Sequence, residues 1–127
     1  MDEIKYLGGA VLAYIGDAEL EIFVRERLIK TSGDTGKLSQ TAQKLVCAEK
    51  QSALVDKLLP LLSETENEIY HLGRNYKTPS KPRHSSAVEY HRASGFEAVF
   101  GYLHLTSNDA RARELFDAVY SEEFENI

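Results

Sequence analysis

Apolar residues recur at helical intervals along most of the chain. The first such run repeats at spacings of four, three and four residues and comprises Val11, Ile15, Ala18 and Ile22. It predicts a helix over about residues 9–28, which the polar breaker at 31–34 ends. A second helix is expected to begin near Thr35. A third is expected over about residues 48–59, stopping at Pro60 because proline cannot continue a helical hydrogen-bond ladder.

Two sequence signatures mark the starts of later helices. Each is a capping box, in which a serine stands three residues before a glutamate: Ser63 with Glu66, and Ser86 with Glu89. The first predicts a short helix that stops at Gly73 in a left-handed turn, and the second a long helix to about residue 105. A last amphipathic helix is expected over about residues 109–120. Since no segment alternates like a strand, the predicted fold class is all-α.

The segment between the two boxes is predicted to be a loop with local positive charge. Residues 74–84 contain two prolines and several polar residues. The formal net charge of the chain is −5 at pH 7, which argues against indiscriminate binding to nucleic acid. Between Glu68 and Glu97, however, five lysines and arginines stand against a single acid, Glu89. A focused anionic partner and a merely solvated loop both explain this distribution.

Composition favours one domain without membrane-spanning or disulfide-bonded parts. The 127 residues, 43% of them hydrophobic, suffice for one core. The longest strictly apolar run, residues 10–15, is too short to cross a bilayer, and the N-terminus lacks the features of a signal peptide. A single cysteine, Cys47, cannot form an internal disulfide and is expected to be a small buried residue in a cytoplasmic protein.

Two carboxylates occupy helix faces that are otherwise apolar. Asp17 interrupts the stripe formed by Ala10, Ala13, Leu20 and Val24. Glu97 lies in the run 95–101, and small residues flank both acids, so that their helices can approach closely. A buried carboxylate is costly unless it is paired or binds a metal, and a shared Mg²⁺ would stabilise both acids. Ordinary surface acids, or salt bridges to Arg25 or Arg92, also explain the spacing, and spacing alone favours them.

Three stretches of the chain resemble a known family. Residues 12–18 (Leu-Ala-Tyr-Ile-Gly-Asp-Ala) resemble the signature helix of ribonuclease III catalytic domains, and residues 95–103 resemble their second acidic helix. Residues 73–77 (Gly-Arg-Asn-Tyr-Lys), followed by Thr78-Pro79 and Pro82-Arg83, resemble the loop of the mini-ribonuclease III branch. The resemblance runs from about residue 7 to residue 105, with the motifs in the family's order and spacing.

This resemblance implies a homodimeric, all-α catalytic domain over residues 1–127 that cuts both strands of an RNA duplex. In such a dimer each protomer supplies one acidic Mg²⁺ site, in which Mn²⁺ can substitute, and the products carry 5′-phosphates and short 3′ overhangs. The mini branch lacks a separate domain for binding double-stranded RNA, and none is expected here. Its members mature the ends of large-subunit (23S) ribosomal RNA. The implied partners are therefore a ribosomal RNA precursor in the cytoplasm and a candidate ribosomal-protein helper.

Residue by residue, the resemblance assigns metal binding and catalysis to Asp17 and Glu97. The larger enzymes have a glutamate where this chain has Ala13, and an aspartate where it has Ser94. Waters, Ser94 or RNA phosphates would therefore complete the metal's coordination shell. We hypothesise that Mg²⁺ held by the two acids activates water for in-line attack on a backbone phosphate. His91 and His104, on the same predicted helix as Glu97, are interpreted as packing or surface residues.

The RNA is expected to be held through its backbone, because A-form RNA hides its bases in a deep, narrow groove. The candidate contacts lie in the basic loop, taken as residues 73–86, and are Arg74, Asn75, Lys77, Thr78, Lys81 and Arg83. Apolar surface for dimerisation is expected on the helices of Asp17 and Glu97. Three residues there fit either that surface or the core of a single chain: Phe96, Val99 and Phe100.

Other functions fit the sequence less well. The main alternative is a non-catalytic module of the same fold that binds ribosomal RNA or assists ribosome assembly, and the presence of both acids argues against it. An all-α nucleotide pyrophosphatase needs paired acids on one helix face or a His-Asp dipeptide. The sequence lacks the dipeptide, and its pair Glu64 and Glu68 is expected to face solvent. A helical interaction domain without chemistry explains neither the two acids nor the basic loop.

Overall fold

Seven α-helices and one 3₁₀ turn are formed by residues 2–77 and 86–127, the residues that this computed structural model describes. The elements are α1 (Asp2–Lys5), α2 (Gly9–Leu28), α3 (Thr35–Val46), α4 (Ala48–Leu58), the 3₁₀ turn (Leu59–Leu61), α5 (Glu64–Asn75), α6 (Ala87–Leu105) and α7 (Asp109–Glu125). These residues contain no strand, so the predicted all-α class is confirmed. Within the same two ranges, no helix has the length and apolar character needed to cross a membrane.

Both predicted capping boxes are present at the starts of their helices. The Ser63 hydroxyl accepts from the amide of Glu66 at 3.1 Å, and the Glu66 carboxylate accepts from the amide of Ser63 at 2.8 Å. Ser86 and Glu89 make the same pair of hydrogen bonds, at 3.1 and 3.0 Å. Each box satisfies backbone donors that the first turn of a helix leaves unpaired. These local bonds explain why the sequence places the two helix starts correctly.

Helix α6 forms the centre of the bundle, and α2, α4 and α5 pack around it. Between residues 93 and 103 every residue except Glu97 is buried. Phe96, Val99 and Phe100 are completely inaccessible to solvent. They therefore belong to the core of the single chain, which is one of the two alternatives that the sequence left open for them.

Helices α2 and α6 cross with their backbones in contact. A Cβ atom on Gly16 would overlap the carbonyl oxygen of Glu97, and one on Gly101 would overlap the carbonyl oxygen of Leu12. Only glycine, which has no Cβ, allows two backbones to approach in this way. Because Asp17 follows Gly16 directly, the crossing brings the two acids of different helices next to each other.

The end of α5 differs from the prediction. The helix continues to Asn75, whereas the sequence suggested a left-handed stop at Gly73. Gly73 is instead a buried helical residue that faces α6. A Cβ atom there would meet the carbonyl oxygen of Ser94 at 2.8 Å, so this glycine serves close helix packing rather than a turn.

Other elements also depart in part from the sequence-based expectation. Helix α7 extends to Glu125 because Phe124 packs on Tyr120, with ring centroids 6.1 Å apart. Helix α4 ends just before the 3₁₀ turn that contains Pro60. Cys47 is partly exposed, not buried, since it lies at the junction between α3 and α4.

The apolar stripe that revealed α2 in the sequence is largely exposed. Val11 and Ile22 have exposed fractions of 45% and 55%, and Ala18 is exposed as well. The core face of this helix is formed by other residues, among them Leu12 and Leu20, which are fully buried. Helix α2 therefore carries apolar side chains on two faces, and the described residues cover only one of them.

Candidate active site

The two acids singled out in the sequence lie side by side. Asp17 projects from α2 and Glu97 from α6, and their carboxyl groups lie close enough for the charge of one to act on the other. Both line an open cleft together with Ala13 and Ser94. Asp17 is exposed whereas Glu97 is largely buried, so the expectation of a buried carboxylate holds for Glu97 alone.

The close approach of two carboxyl groups creates an electrostatic problem that a cation can relieve. Burial raises the pKa of Glu97 well above its ordinary value, and the neighbouring Asp17 raises this pKa further. Two carboxyl groups at close range cannot both carry a negative charge without cost, so a proton on one of them is favoured. A divalent cation can take the place of that proton and neutralise both groups. The pair is therefore suited to hold a metal ion.

The arginines considered as alternative partners bind other acids. Arg25 forms a salt bridge with Glu21 at 3.0 Å, and Arg92 forms one with Asp56 at 2.9 Å. Arg92 also donates to the hydroxyl of Ser52 at 3.1 Å. The interpretation of the two acids as salt-bridge partners of these arginines is thus not supported.

The residues around the pair fit a hard cation with oxygen ligands. Asp17 and Glu97 offer carboxylate oxygens, and Ser94 adds a hydroxyl on the same cleft. Mg²⁺ prefers a site with one or two carboxylates in which waters and substrate phosphates fill the remaining positions. Ala13 supplies no ligand and leaves the cleft open on the α2 side.

A buried amide from α4 supports the charged form of Glu97. Gln51 is only 1% exposed, and it lowers the pKa of Glu97, against the effects of burial and Asp17. Its Nε2 atom nevertheless makes no hydrogen bond of normal geometry with any described residue. A buried donor next to a carboxylate can hold that group in place while it binds a cation, as the residues behind metal ligands commonly do.

Two tyrosines complete the cleft on the side of the basic loop. The hydroxyl of Tyr76 lies 3.0 Å from that of Tyr90 and 3.5 Å from that of Ser94. Burial raises the pKa of Tyr76, so its hydroxyl keeps its proton at neutral pH. Because one hydroxyl of this pair donates to the other, the accepting hydroxyl is the one that can donate at the edge of the acidic cleft.

Sequence reasoning missed these three residues. A signal was present for Gln51, because it stands on the stripe of α4 whose other members are Leu54, Val55 and Leu58, all buried. A polar residue in an otherwise apolar, buried stripe is unusual, and the same signal singled out Asp17 and Glu97. The tyrosines carried no comparable signal, since aromatic residues are ordinary core components.

The structure describes three of the six candidate RNA contacts. Arg74 and Asn75 end α5, Lys77 follows, and all three are exposed. They line a second open cleft with Tyr76, which also lines the acidic cleft, so the two clefts adjoin. The other three candidates lie outside the described residues: Thr78, Lys81 and Arg83.

Similarity to known proteins assigns this fold and site to a family. The sequence pattern of the Ribonuclease III domain matches residues 10–108, a range that includes both acids and the basic segment. The chain belongs to the ribonuclease III family. This membership confirms the prediction of an endoribonuclease for double-stranded RNA, in a family that generally uses a divalent metal.

Individual relatives agree with the mini branch named from the sequence. A Clostridium tetani protein named Mini-ribonuclease 3 is 36% identical, over 98% of this chain and 85% of its own length. A Streptococcus pneumoniae protein of the same name is 39% identical, over 91% of this chain and 92% of its own. A crystal structure of a Fusobacterium nucleatum protein superposes with a TM-score of 0.85 at 26% identity, covering 94% of this chain and 92% of that one.

Proposed function

We propose that Asp17 and Glu97 together bind one Mg²⁺, which Mn²⁺ can replace, and that the chain thereby hydrolyses backbone phosphodiesters of double-stranded RNA to leave 5′-phosphates. The observation that carries this proposal is the contact between two carboxyl groups from different helices, one of them largely buried. Such a contact is unfavourable without a proton or a cation between the groups. It is retained here at the edge of an open cleft, where a phosphate can reach it.

Each residue of the cleft has a distinct part in the proposed reaction. A divalent ion in this site supplies charge that polarises the phosphodiester and lowers the pKa of the attacking water. Asp17 and Glu97 would hold the ion, and Gln51 favours the charged form of the Glu97 carboxylate. Tyr76 and Tyr90 together present a hydroxyl donor at the edge of the cleft, where it can bind a phosphate oxygen of the substrate.

The adjoining cleft is proposed to hold the RNA backbone. Arg74 and Lys77 supply positive charge and Asn75 an amide, next to the site where the scissile phosphate would lie. Thr78, Lys81 and Arg83 continue the same basic segment in the sequence and are proposed to contact neighbouring phosphates. In this proposal, loop 73–86 binds the RNA duplex, so that the catalytic domain both binds and cleaves its substrate.

A homodimer is proposed because a duplex has two strands to cut and α2 has an uncovered apolar face. Val11, Tyr14 and Ile22 form that face. Apolar exposure of this kind on one helix is typical of an interface between copies of a chain. Ile22→Glu should shift the mass measured by light scattering from dimer to monomer, with Leu61→Glu, on the 3₁₀ turn and similarly exposed, as the matched control.

The natural substrate is proposed to be a double-stranded end of the precursor of large-subunit (23S) ribosomal RNA in the cytoplasm, with a ribosomal protein as helper. The support for this role is the resemblance to the mini-ribonuclease III branch, because the curated relatives carry the name of that branch. The alternative is a module that binds ribosomal RNA without cutting it. The presence of both acids in one cleft favours the nuclease.

Cleavage of a long, fully paired RNA in Mg²⁺ tests the proposed function. The parent should cut both strands and leave 3′ overhangs with 5′-phosphates, while Glu97→Gln should bind the duplex without cutting it. Glu64→Gln, which removes an exposed acid from the first turn of α5, is the matched control and should cut like the parent.

The outcomes separate the nuclease from the binding module. If the parent does not cut either the duplex or a protein-bound ribosomal precursor, but binds both, the chain is a binding module. If Glu97→Gln cuts at the parent's rate, the assignment of the metal site to this residue is wrong.

A further inference from the structure

A second group of metal-binding side chains lies on another face of α2, away from the acidic cleft. It consists of Glu19 from α2, His104 from the last turn of α6 and Asp109 from the first turn of α7. One ligand atom from each of the three lies within 4.8 Å of the others. The group borders an open cleft whose apolar wall includes Phe23.

The glutamate of this group is buried without a hydrogen-bond partner. The Glu19 side chain is only 7% exposed, and its Oε2 atom makes no hydrogen bond with any residue that the structure describes. Arg113 lines the same cleft, but its guanidinium binds Glu26 at 3.1 Å and lies over the Phe23 ring at 4.7 Å. Burial raises the pKa of Glu19 overall, although the charges of His104 and Arg113 lower it in part, and neither side chain gives the buried Oε2 atom a hydrogen bond.

The distance between the glutamate and the histidine fits two ligands of one ion. Glu19 Oε2 and His104 Nδ1 are 3.4 Å apart and are not hydrogen-bonded. A charge-assisted hydrogen bond would bring them to about 2.8 Å. A tetrahedral ion with ligands at about 2.0–2.1 Å holds its donor atoms about 3.3 Å apart.

The donor set distinguishes this group from the acidic cleft. An imidazole nitrogen with two carboxylates suits zinc and similar transition metals, whereas Mg²⁺ prefers oxygen ligands alone. His104 and Asp109 are exposed on the single chain, so an ion can reach the group from solvent before two chains associate through the neighbouring Ile22. A water molecule can occupy the fourth position.

We propose that Glu19, His104 and Asp109 form a binding site for a divalent transition metal of the zinc class. The ion joins α2 to the end of α6 and the start of α7. Glu19 is two residues from Asp17 and His104 is seven from Glu97, so the bound ion braces the two helices that carry the acidic pair. The site is structural, and it binds metal whether or not RNA is present.

Zinc binding by the metal-stripped protein tests this proposal without reference to cleavage. Equilibrium dialysis and thermal unfolding are compared for the parent, His104→Ala, Glu19→Gln and His71→Ala. The last variant removes an exposed histidine of α5 and is the matched control. The parent and His71→Ala should each bind one more Zn²⁺ per chain than His104→Ala. Their Kd for this Zn²⁺ should be at least tenfold lower than the Kd of Glu19→Gln.

Thermal unfolding distinguishes a metal site from an ordinary ion pair. Zn²⁺ should raise the melting temperature of the parent and of His71→Ala by more than that of His104→Ala, because a ligand that binds the folded state stabilises it. Mg²⁺, which is proposed to bind the acidic pair, should act equally on all three proteins. Equal Zn²⁺ binding by the parent and His104→Ala would overturn the proposal. So would a melting temperature of His104→Ala that is lowered by the same amount with and without Zn²⁺, which would identify a simple ion pair.

Discussion

Replacing Gly16 with alanine should separate the two acids by forcing α2 away from α6. The added Cβ would overlap the carbonyl oxygen of Glu97, and this neighbour is backbone that cannot rotate away as a side chain can. Overpacking in a core typically costs about 1–3 kcal/mol, and a clash with backbone belongs at the upper end. Alanine recovers about 1 kcal/mol through its higher helix propensity. The expected net loss in the free energy of unfolding is therefore about 2 kcal/mol.

The effect of this substitution on cleavage should exceed its effect on folding. The helix shift moves Asp17 relative to Glu97, and a displacement of about 1 Å in a catalytic group costs roughly 100-fold in rate. Urea unfolding followed by circular dichroism gives the stability, and single-turnover cleavage of an RNA duplex at a temperature where the variant is folded gives the rate. Gly33→Ala is the control, because a Cβ at Gly33 meets no atom within 4 Å. The reasoning is refuted if Gly16→Ala matches Gly33→Ala in both stability and rate.

Three further predictions concern charge. Because the pKa of Glu97 is raised, the metal-free folded protein keeps a proton on this side chain at pH values where the unfolded chain releases it. The stabilisation of the folded state by this proton is complete below about pH 4.3 and is lost as the pH rises through the folded pKa. Melting curves of metal-free Glu97→Gln should therefore fall less with rising pH than those of the parent. Lys77→Ala should reduce the magnitude of the slope of log K against log salt for duplex binding by about 1, as measured by fluorescence anisotropy. An unchanged slope would show that Lys77 is not part of the RNA interface. Arg111→Ala leaves the buried Glu66 carboxylate without the guanidinium 2.9 Å away and should cost about 3 kcal/mol in urea unfolding, whereas a loss below about 1 kcal/mol would show that solvent replaces the pair.

Local signals in the sequence predicted most helix starts. The capping boxes at Ser63 and Ser86 depend on residues three positions apart, so they can be recognised without knowledge of the fold. Gly73 shows the opposite case. Gly73 allows close packing against α6, which is distant in sequence. The local turn signal therefore predicted the wrong role for this residue.

The sequence also predicted which two acids the fold brings together, but not their surroundings. Asp17 and Glu97 interrupt apolar stripes, and the family motifs identify them independently. The periodicity of α2 could not reveal that Val11 and Ile22 are exposed, since both faces of the helix carry apolar residues. Gln51 and Tyr76 enter the site through the packing of α4 and the chain after α5, which only the tertiary structure defines.

The most direct test of the central claim is a double-mutant cycle on the two acids. Single-turnover cleavage of one RNA duplex in Mg²⁺ is measured for the parent, Asp17→Asn, Glu97→Gln and the double variant. If the two carboxylates hold a single ion, removing either one disables the site, and the double variant should be no slower than the slower single variant. Losses that multiply in the double variant, or a single variant that cuts at the parent's rate, would contradict the claim that Asp17 and Glu97 act as one metal site.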